Sequence, residues 1–214
     1  MRSYDEYCSI AKSLDLIGDR WTLLAVRELA LRGPSRYTDL RDGLPGIATN
    51  LLADRLRGLE AAGLVTREEA PPPIATTLFR LTPRGEGLKP VLDELMRWGL
   101  PLMVEQQDED AVRSHWLAGA LEVSLSDRRP DEDPVTLELH VGDEPIVVRA
   151  REGEVKIALG RAEDPDAVLT GPARPIMGLL LGGLDHGAAE AMGVTVEGDP
   201  DVVERVAADA VAAR

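Results

Sequence analysis

The spacing of apolar residues divides the chain into two stretches of different character. The first, up to about residue 104, has a helical period. Ile10, Leu14 and Ile17 recur at three- and four-residue steps, and Gly18 is placed to end that helix in a left-handed cap. Asp19 is placed to cap a second helix that carries Trp21, Leu23, Leu24, Val26 and Leu29 and stops at Gly33-Pro34. Its apolar residues lie on several faces, which predicts a central, buried helix. Ser35 is placed to cap a short third helix from Arg36 to Asp42, and Leu44-Pro45-Gly46 reads as a turn. A fourth helix is predicted over 48–62, with Leu52, Leu56 and Leu59 on one face and Gly63 at its end. Its opposite side carries Asn50, Ala53, Asp54, Arg57 and Ala61, with Thr49 near the start.

A short strand follows at Leu64-Val65-Thr66-Arg67, then a Pro-rich excursion over 71–76 and a second strand from Thr77 to Leu81. Two short strands around an exposed loop predict a β-hairpin wing. Thr82-Pro83 then opens a fifth helix with a cap and a proline at its first position. Leu88, Val91, Leu92, Leu95, Trp98 and Leu102 form an apolar seam on it, with Pro101 bending or ending it. Such a seam at the end of a small domain predicts a partner helix from a second subunit.

Residues 105–110, Glu-Gln-Gln-Asp-Glu-Asp, mark the expected boundary, giving domains 1–104 and 105–214. Beyond it a helix is expected over 111–125, then the polar stretch Asp127–Pro134. Val135, Leu137, Leu139 and Val141 alternate, as do Ile146, Val148 and Ala150, and Val155, Ile157 and Leu159. With Gly142-Asp143 and Glu152-Gly153 as turns, this predicts an antiparallel meander with one face buried. An apolar helical piece from Ile176 to Leu181, a strand at Val194–Val196 and a last helix opened by Asp199-Pro200 complete the chain. The fold class expected is α+β in both domains.

Charge sharpens the division. Residues 1–104 carry 14 Lys+Arg and 14 Asp+Glu, whereas 105–214 carry 10 and 24, so the net charge of -14 belongs to the second half. The first half could approach a phosphate backbone, and the second would be repelled from it. A single cysteine, Cys8, rules out an internal disulfide framework and fits a reducing compartment. No apolar run approaches the roughly 20 residues of a membrane span, and no signal-peptide plan opens the chain. A cytoplasmic protein, not attached to a membrane, is expected.

Several segments carry a family resemblance. They are Cys8-Ser9-Ile10, Leu16-Ile17-Gly18-Asp19-Arg20-Trp21, Arg36-Tyr37-Thr38-Asp39-Leu40, Pro45-Gly46-Ile47, Leu51-Leu52 through Arg55-Leu56, Leu59-Glu60-Ala61-Ala62-Gly63-Leu64-Val65 and Leu81-Thr82-Pro83-Arg84-Gly85. In order and in line over about residues 8–100, they resemble HxlR-type regulators, a MarR-like winged helix-turn-helix group. The resemblance implies a homodimer, interlocked through the first and last helices of the domain, on a partly palindromic double-stranded DNA operator. The second half resembles a sterol-carrier-protein-like fold through Val135–Leu159, Ala167-Val168-Leu169-Thr170-Gly171 and Gly193-Val194-Thr195-Val196-Glu197-Gly198-Asp199. That resemblance implies a mainly antiparallel sheet, helices over one face and an apolar cavity for a small molecule or lipid.

Roles can then be assigned. A short polar helix face ending in Arg57 suits a major groove, so Thr49, Asn50 and Arg57 are the candidate base contacts, with Asp54 able to accept from a cytosine amino group. Arg36, Thr38, Arg55, Arg67 and Arg80 are the candidate phosphate contacts. Arg55 could instead pair with Glu60 or near Asp54 and never reach DNA. Ile10, Leu14, Leu88, Leu92, Leu95 and Trp98 are the candidate dimer contacts. Leu139, Val148, Ile157, Leu159, Ile176, Met177, Leu180 and Met192 are the candidate lining of an apolar ligand site.

Cys8 offers a second signal, since the resemblance places it where many relatives carry a redox-active cysteine. A helix start favours a thiolate, while Asp5 and Glu6 oppose it, and a small packed interface residue is the plainer reading. With no second cysteine, only a bridge between two copies or a mixed disulfide is open to it. An enzyme is not expected, nor a cofactor: His115, His140 and His186 match no metal spacing, and no phosphate loop or nucleophile elbow is present. A lipid-binding or lipid-transfer protein, whose winged helix serves only assembly, is the remaining alternative.

Overall fold

The computed structural model describes residues 3–71, 76–104 and 110–208. Residues 105–109 of the expected boundary and 72–75 of the expected Pro-rich excursion lie outside them. The chain divides into two compact units, Met1–Glu94 and Leu95–Arg214.

The first unit runs α1 (Ser9–Ile17), α2 (Thr22–Arg32), β1 (Ser35–Arg36), α3 (Tyr37–Asp42), α4 (Thr49–Ala61), β2 (Val65–Glu69), β3 (Thr77–Leu81) and α5 (Pro83–Glu86). Helix α6 (Lys89–Val104) begins in it. Its core gathers Ala25, Val26 and Leu29 of α2, Leu40 of α3, Leu52, Leu56 and Leu59 of α4, and Phe79 and Leu81 of β3. Each of the three α4 leucines gains roughly 1.5–3 kcal/mol from full burial, which fixes the rotation of α4 about its axis. The sheet has the order β1-β3-β2 with antiparallel pairs.

Local details depart from the sequence reading. Gly18 is in the right-handed region, not a left-handed cap. Asp19 does not cap α2; Trp21 precedes that helix in the left-handed region with φ 79°, beneath the Arg20 guanidinium. Ser35 does not cap α3 but is buried in β1, with its hydroxyl donating to the Gly33 carbonyl at 3.0 Å. The cap position is Arg36, whose N–H donates to the Asp39 carboxylate at 3.0 Å. The expected fifth helix is two helices, α5 and α6, and Pro101 lies inside α6. Thr82 caps α5 as its position suggests, its hydroxyl accepting from the Gly85 N–H at 3.1 Å. Within α2 the carboxylate of Glu28 is fully buried and takes Arg27 at 2.7 Å. Burial pulls the Arg27 guanidinium below its ordinary pKa, against the opposing pull of Glu28.

The second unit contains α7 (Ser114–Glu122), β4 (Val135–His140), β5 (Ile146–Arg151), β6 (Glu154–Leu159), β7 (Ala167–Thr170), α8 (Ala173–Leu180), α9 (His186–Ala191), β8 (Thr195–Gly198) and α10 (Asp201–Val206). Its sheet has the order β6-β5-β4-β7-β8, antiparallel except for the parallel β4–β7 pair. The meander β4-β5-β6 matches the alternating pattern, while the β7 crossover is an addition to it. Register aligns Leu137 with Val148, Ile157 and Ala167, and Leu139 with Ile146, Leu159 and Leu169. One face of the sheet is therefore apolar, and α7, α8 and α10 contribute Leu117, Leu121, Ile176, Leu180, Val202, Val203 and Val206 to the same core.

Among the described residues, the buried Ser114 and Glu138 side chains of this unit find hydrogen-bond partners. The buried Ser114 hydroxyl lies 2.6 Å from the Glu144 carbonyl and accepts the N–H groups of Asp143 and Glu144. Gly142 turns there at φ +81°, where a Cβ would lie 2.7 Å from that hydroxyl, so a side chain is excluded on two counts. Buried Glu138 accepts from the Ala162 N–H and meets His140 Nε2, each at 2.6 Å.

Candidate nucleic-acid interface

Helix α4 follows the turn Leu44–Ile47, and Ala48 at its N-cap supplies no capping side chain. The Tyr37 hydroxyl donates to the Thr49 carbonyl at 2.6 Å, tying α3 to the first turn of α4. Leu52, Leu56 and Leu59 face inward, so Thr49, Asn50, Asp54 and Arg57 are exposed on the other side, with Ala53 half-buried among them. Arg57 forms an ion pair with Asp54 one turn away, and its Nε donates to the Ala53 carbonyl at 3.4 Å.

Arg55 takes a different direction. It pairs with Asp19 rather than with Glu60 or Asp54, and its side chain is 22% exposed against 68% for Arg57. Among the described residues its buried Nε has no hydrogen-bond partner. Arg55 thus joins α4 to the turn before α2. Arg36 and Thr38 are exposed at the start of α3.

The wing carries the remaining arginines. Arg67 on β2 pairs with Glu60 at 2.6 Å and lies over the Phe79 ring at 5.2 Å. Arg80 on β3 pairs with Glu68 at 3.1 Å across the hairpin. Arg84 donates to the Ala62 carbonyl at 2.9 Å and so holds the end of α4. Sequence reasoning missed Tyr37, Asp19 and Glu68 as partners of this surface, and it offered Glu60 to Arg55, whereas the residue that Glu60 meets is Arg67. The Tyr37 and Asp19 links span 12 and 36 residues, and no local pattern announces contacts of that range.

The other candidates fall in several environments. Ile10, Leu14, Leu95 and Trp98 are exposed, Leu88 is half-buried, and Leu92 is buried in the core of the first unit rather than open to a partner. Leu139, Val148, Ile176, Met177 and Leu180 belong to the core of the second unit, and Ile157 packs against it. Leu159 and Met192 are instead surface residues, at 41% and 43% exposure. Cys8 is exposed immediately before α1. Among the described residues, no helix is long and apolar enough to cross a membrane.

Known proteins share this first unit. The HxlR-like helix-turn-helix family matches residues 16–107. The HTH-type transcriptional regulator YkvN of Bacillus subtilis is 37% identical over 95 residues, 43% of this chain and 77% of that protein. The HTH-type transcriptional regulator sll1512 of Synechocystis is 34% identical over 102 residues, 48% of this chain and 75% of that one. Among solved structures, the reduced form of the transcriptional regulator YodB from Bacillus subtilis aligns at 29% identity with a TM-score of 0.39, over 44% of this chain and 92% of that one. With α4 and the wing arranged as described, the chain belongs to the HxlR-like helix-turn-helix family of transcriptional regulators and carries its DNA-binding domain in the N-terminal part.

Proposed function

We propose that the chain acts as a homodimer that reads a partly palindromic operator, with α4 in the major groove and the β2–β3 wing on the flanking backbone. The observation that carries this reading is the α4 surface, where Thr49, Asn50, Asp54 and Arg57 stand open while three leucines lock the other side. Two copies would place their α4 helices about 34–36 Å apart, one turn of the duplex. The exposed Ile10, Leu14, Leu95 and Trp98 support pairing through α1 and α6, because apolar side chains of that size gain by being covered. The domains concerned are 1–104 and 105–214.

The second domain would supply the signal. Its apolar sheet face with helices packed on it supports a sterol-carrier-like reading, with an apolar small molecule or lipid as effector. Such a ligand shifts DNA binding only if it binds the two dimer geometries with different affinity. Exposure of Cys8 favours a second reading, in which a bridge between the two Cys8 residues or a mixed disulfide sets the dimer geometry. The protein itself would be non-enzymatic and cytoplasmic.

A mobility shift on the DNA upstream of the chain's own coding sequence tests the reading. The Asn50→Ala, Arg57→Ala double variant should lose specific binding while weak, salt-sensitive binding persists. Specific binding unchanged in that variant would remove α4 from the role given to it. Repeating the assay with lipid extract and with oxidant separates the two effectors.

A further inference from the structure

Arg57 and Asp54 are the paired charges on the open side of α4, both more than half exposed and held to each other one helical turn apart. Arg55, the other arginine of α4, is committed to Asp19 and mostly buried. Arg57 is therefore the α4 guanidinium available to a groove, and it arrives there with a carboxylate attached. A lone arginine in that position can bond a phosphate, which carries no sequence information, as well as a guanine edge. A carboxylate beside it is repelled by phosphate and changes what the pair can accept.

We propose that Asp54 and Arg57 read one G·C base pair as a unit and that Asp54 is the residue that makes this position selective; the proposal rests on α4 being the reading helix. The major-groove edge of G·C presents guanine N7 and O6, both acceptors, followed by the cytosine N4 amino donor. The guanidinium supplies donors to the first two, and the carboxylate supplies an acceptor to the third. On an A·T pair the carboxylate meets thymine O4 or the thymine methyl, and the guanidinium meets the adenine amino donor. The neighbouring Ala53 and Ala61 are small enough to let the pair approach the base edges.

The consequence has an unusual sign. Removing an acidic side chain from a DNA-facing helix should raise affinity for unrelated DNA, because Arg57 is freed for phosphate, and at the same time lower discrimination. Selection of the full chain on a randomised duplex library gives the preferred site, and fluorescence anisotropy on duplexes with single base-pair changes measures the preference. The wild-type chain should prefer G·C at one position of each half-site by about tenfold or more. Asp54→Ala and Asp54→Asn should both lower that preference severalfold, to what Arg57 gives alone, and bind a duplex of unrelated sequence more tightly at low salt. A preference for G·C that is undiminished in both variants, or unrelated-duplex affinity that does not rise, overturns the assignment to Asp54 while leaving α4 as the reading helix. A wild-type chain that enriches no sequence overturns both this proposal and the regulator reading beneath it.

Discussion

Arg205 of α10 and Asp127 of the loop after α7, 78 positions apart, form a two-pronged ion pair, with Nε 2.8 Å from Oδ1 and Nη2 3.2 Å from Oδ2. Both side chains are buried. Asp127 also accepts the N–H groups of Arg129 and Gly153, each at 3.1 Å, so the pair ties α10 to the β5–β6 turn. Arg205→Ala would leave a carboxylate buried without its counter-charge, at a cost of about 3–5 kcal/mol. Urea titration followed by circular dichroism should show an early transition belonging to the second unit. The double change Arg205→Met, Asp127→Leu removes both charges and should lose less than Arg205→Ala alone.

Acid should act on the same place. Hydrogen bonding from Arg205, with the two backbone N–H groups, holds the Asp127 carboxyl below the usual carboxylate range. Burial pushes Glu138 upward, but His140 and the Ala162 N–H outweigh it, and Glu138 too lies below its ordinary value. For Asp143, burial is likewise outweighed, here by the Ser114 N–H and hydroxyl. A carboxyl whose folded pKa is depressed contributes its full stabilisation above the unfolded pKa, about 4. The contribution shrinks below that pH and is gone once the pH passes the depressed folded value. The second unit should hold a level stability above about pH 5 and weaken steeply below about pH 4. Asp127→Asn should flatten that acid limb, and a limb of unchanged steepness would refute the assignment to Asp127.

The joint between the wing and α5 leaves no room at Gly85. A Cβ there would lie 2.0 Å from the Leu64 carbonyl oxygen, which already accepts the Thr82 N–H at 3.0 Å. Gly85→Ala must displace backbone rather than a side-chain tip, costing about 1–3 kcal/mol. Thermal melts should show a loss of about 4 °C or more for the first unit. Gly85 is the last residue of the Leu81–Gly85 motif, and this contact is the physical reason for a glycine there.

Legibility in the sequence followed the range of the contacts. Helix α4 was visible because Leu52, Leu56 and Leu59 repeat at the period of the helix they belong to, and the β4-β5-β6 meander because alternation is equally local. Strand β1 has two residues and exists only through its register with Leu78 and Phe79 of β3, which no short window records. The β7 strand pairs in parallel with β4 some thirty residues earlier, and turn chemistry does not signal that crossover. The same limit applied to the interface. Exposure of Asn50 and Arg57 follows from helical phase, whereas the turn of Arg55 toward Asp19 depends on α2 and α4 coming together. Leu92 meets the chain's own core, and the limit is a related one: a seam does not say which of its residues turn inward.

Trp98 offers the sharpest test of pairing between copies. It is 73% exposed on α6, the most open of the large apolar side chains described on that helix. Covering it gains free energy in proportion to its area, whereas burying a carboxylate in its place costs free energy. If the chain pairs through this face as proposed, Trp98→Glu should shift it toward monomer in sedimentation velocity without lowering its thermal stability, since the side chain packs against little within its own chain. Trp98→Phe keeps the apolar area and should keep the dimer. DNA binding links the two results: a monomer engages one half-site, so Trp98→Glu should lose the gain from the second half-site on a palindromic duplex and bind it no better than a duplex with a single half-site. A Trp98→Glu chain that still sediments as a dimer would place the subunit interface elsewhere than this face of α6.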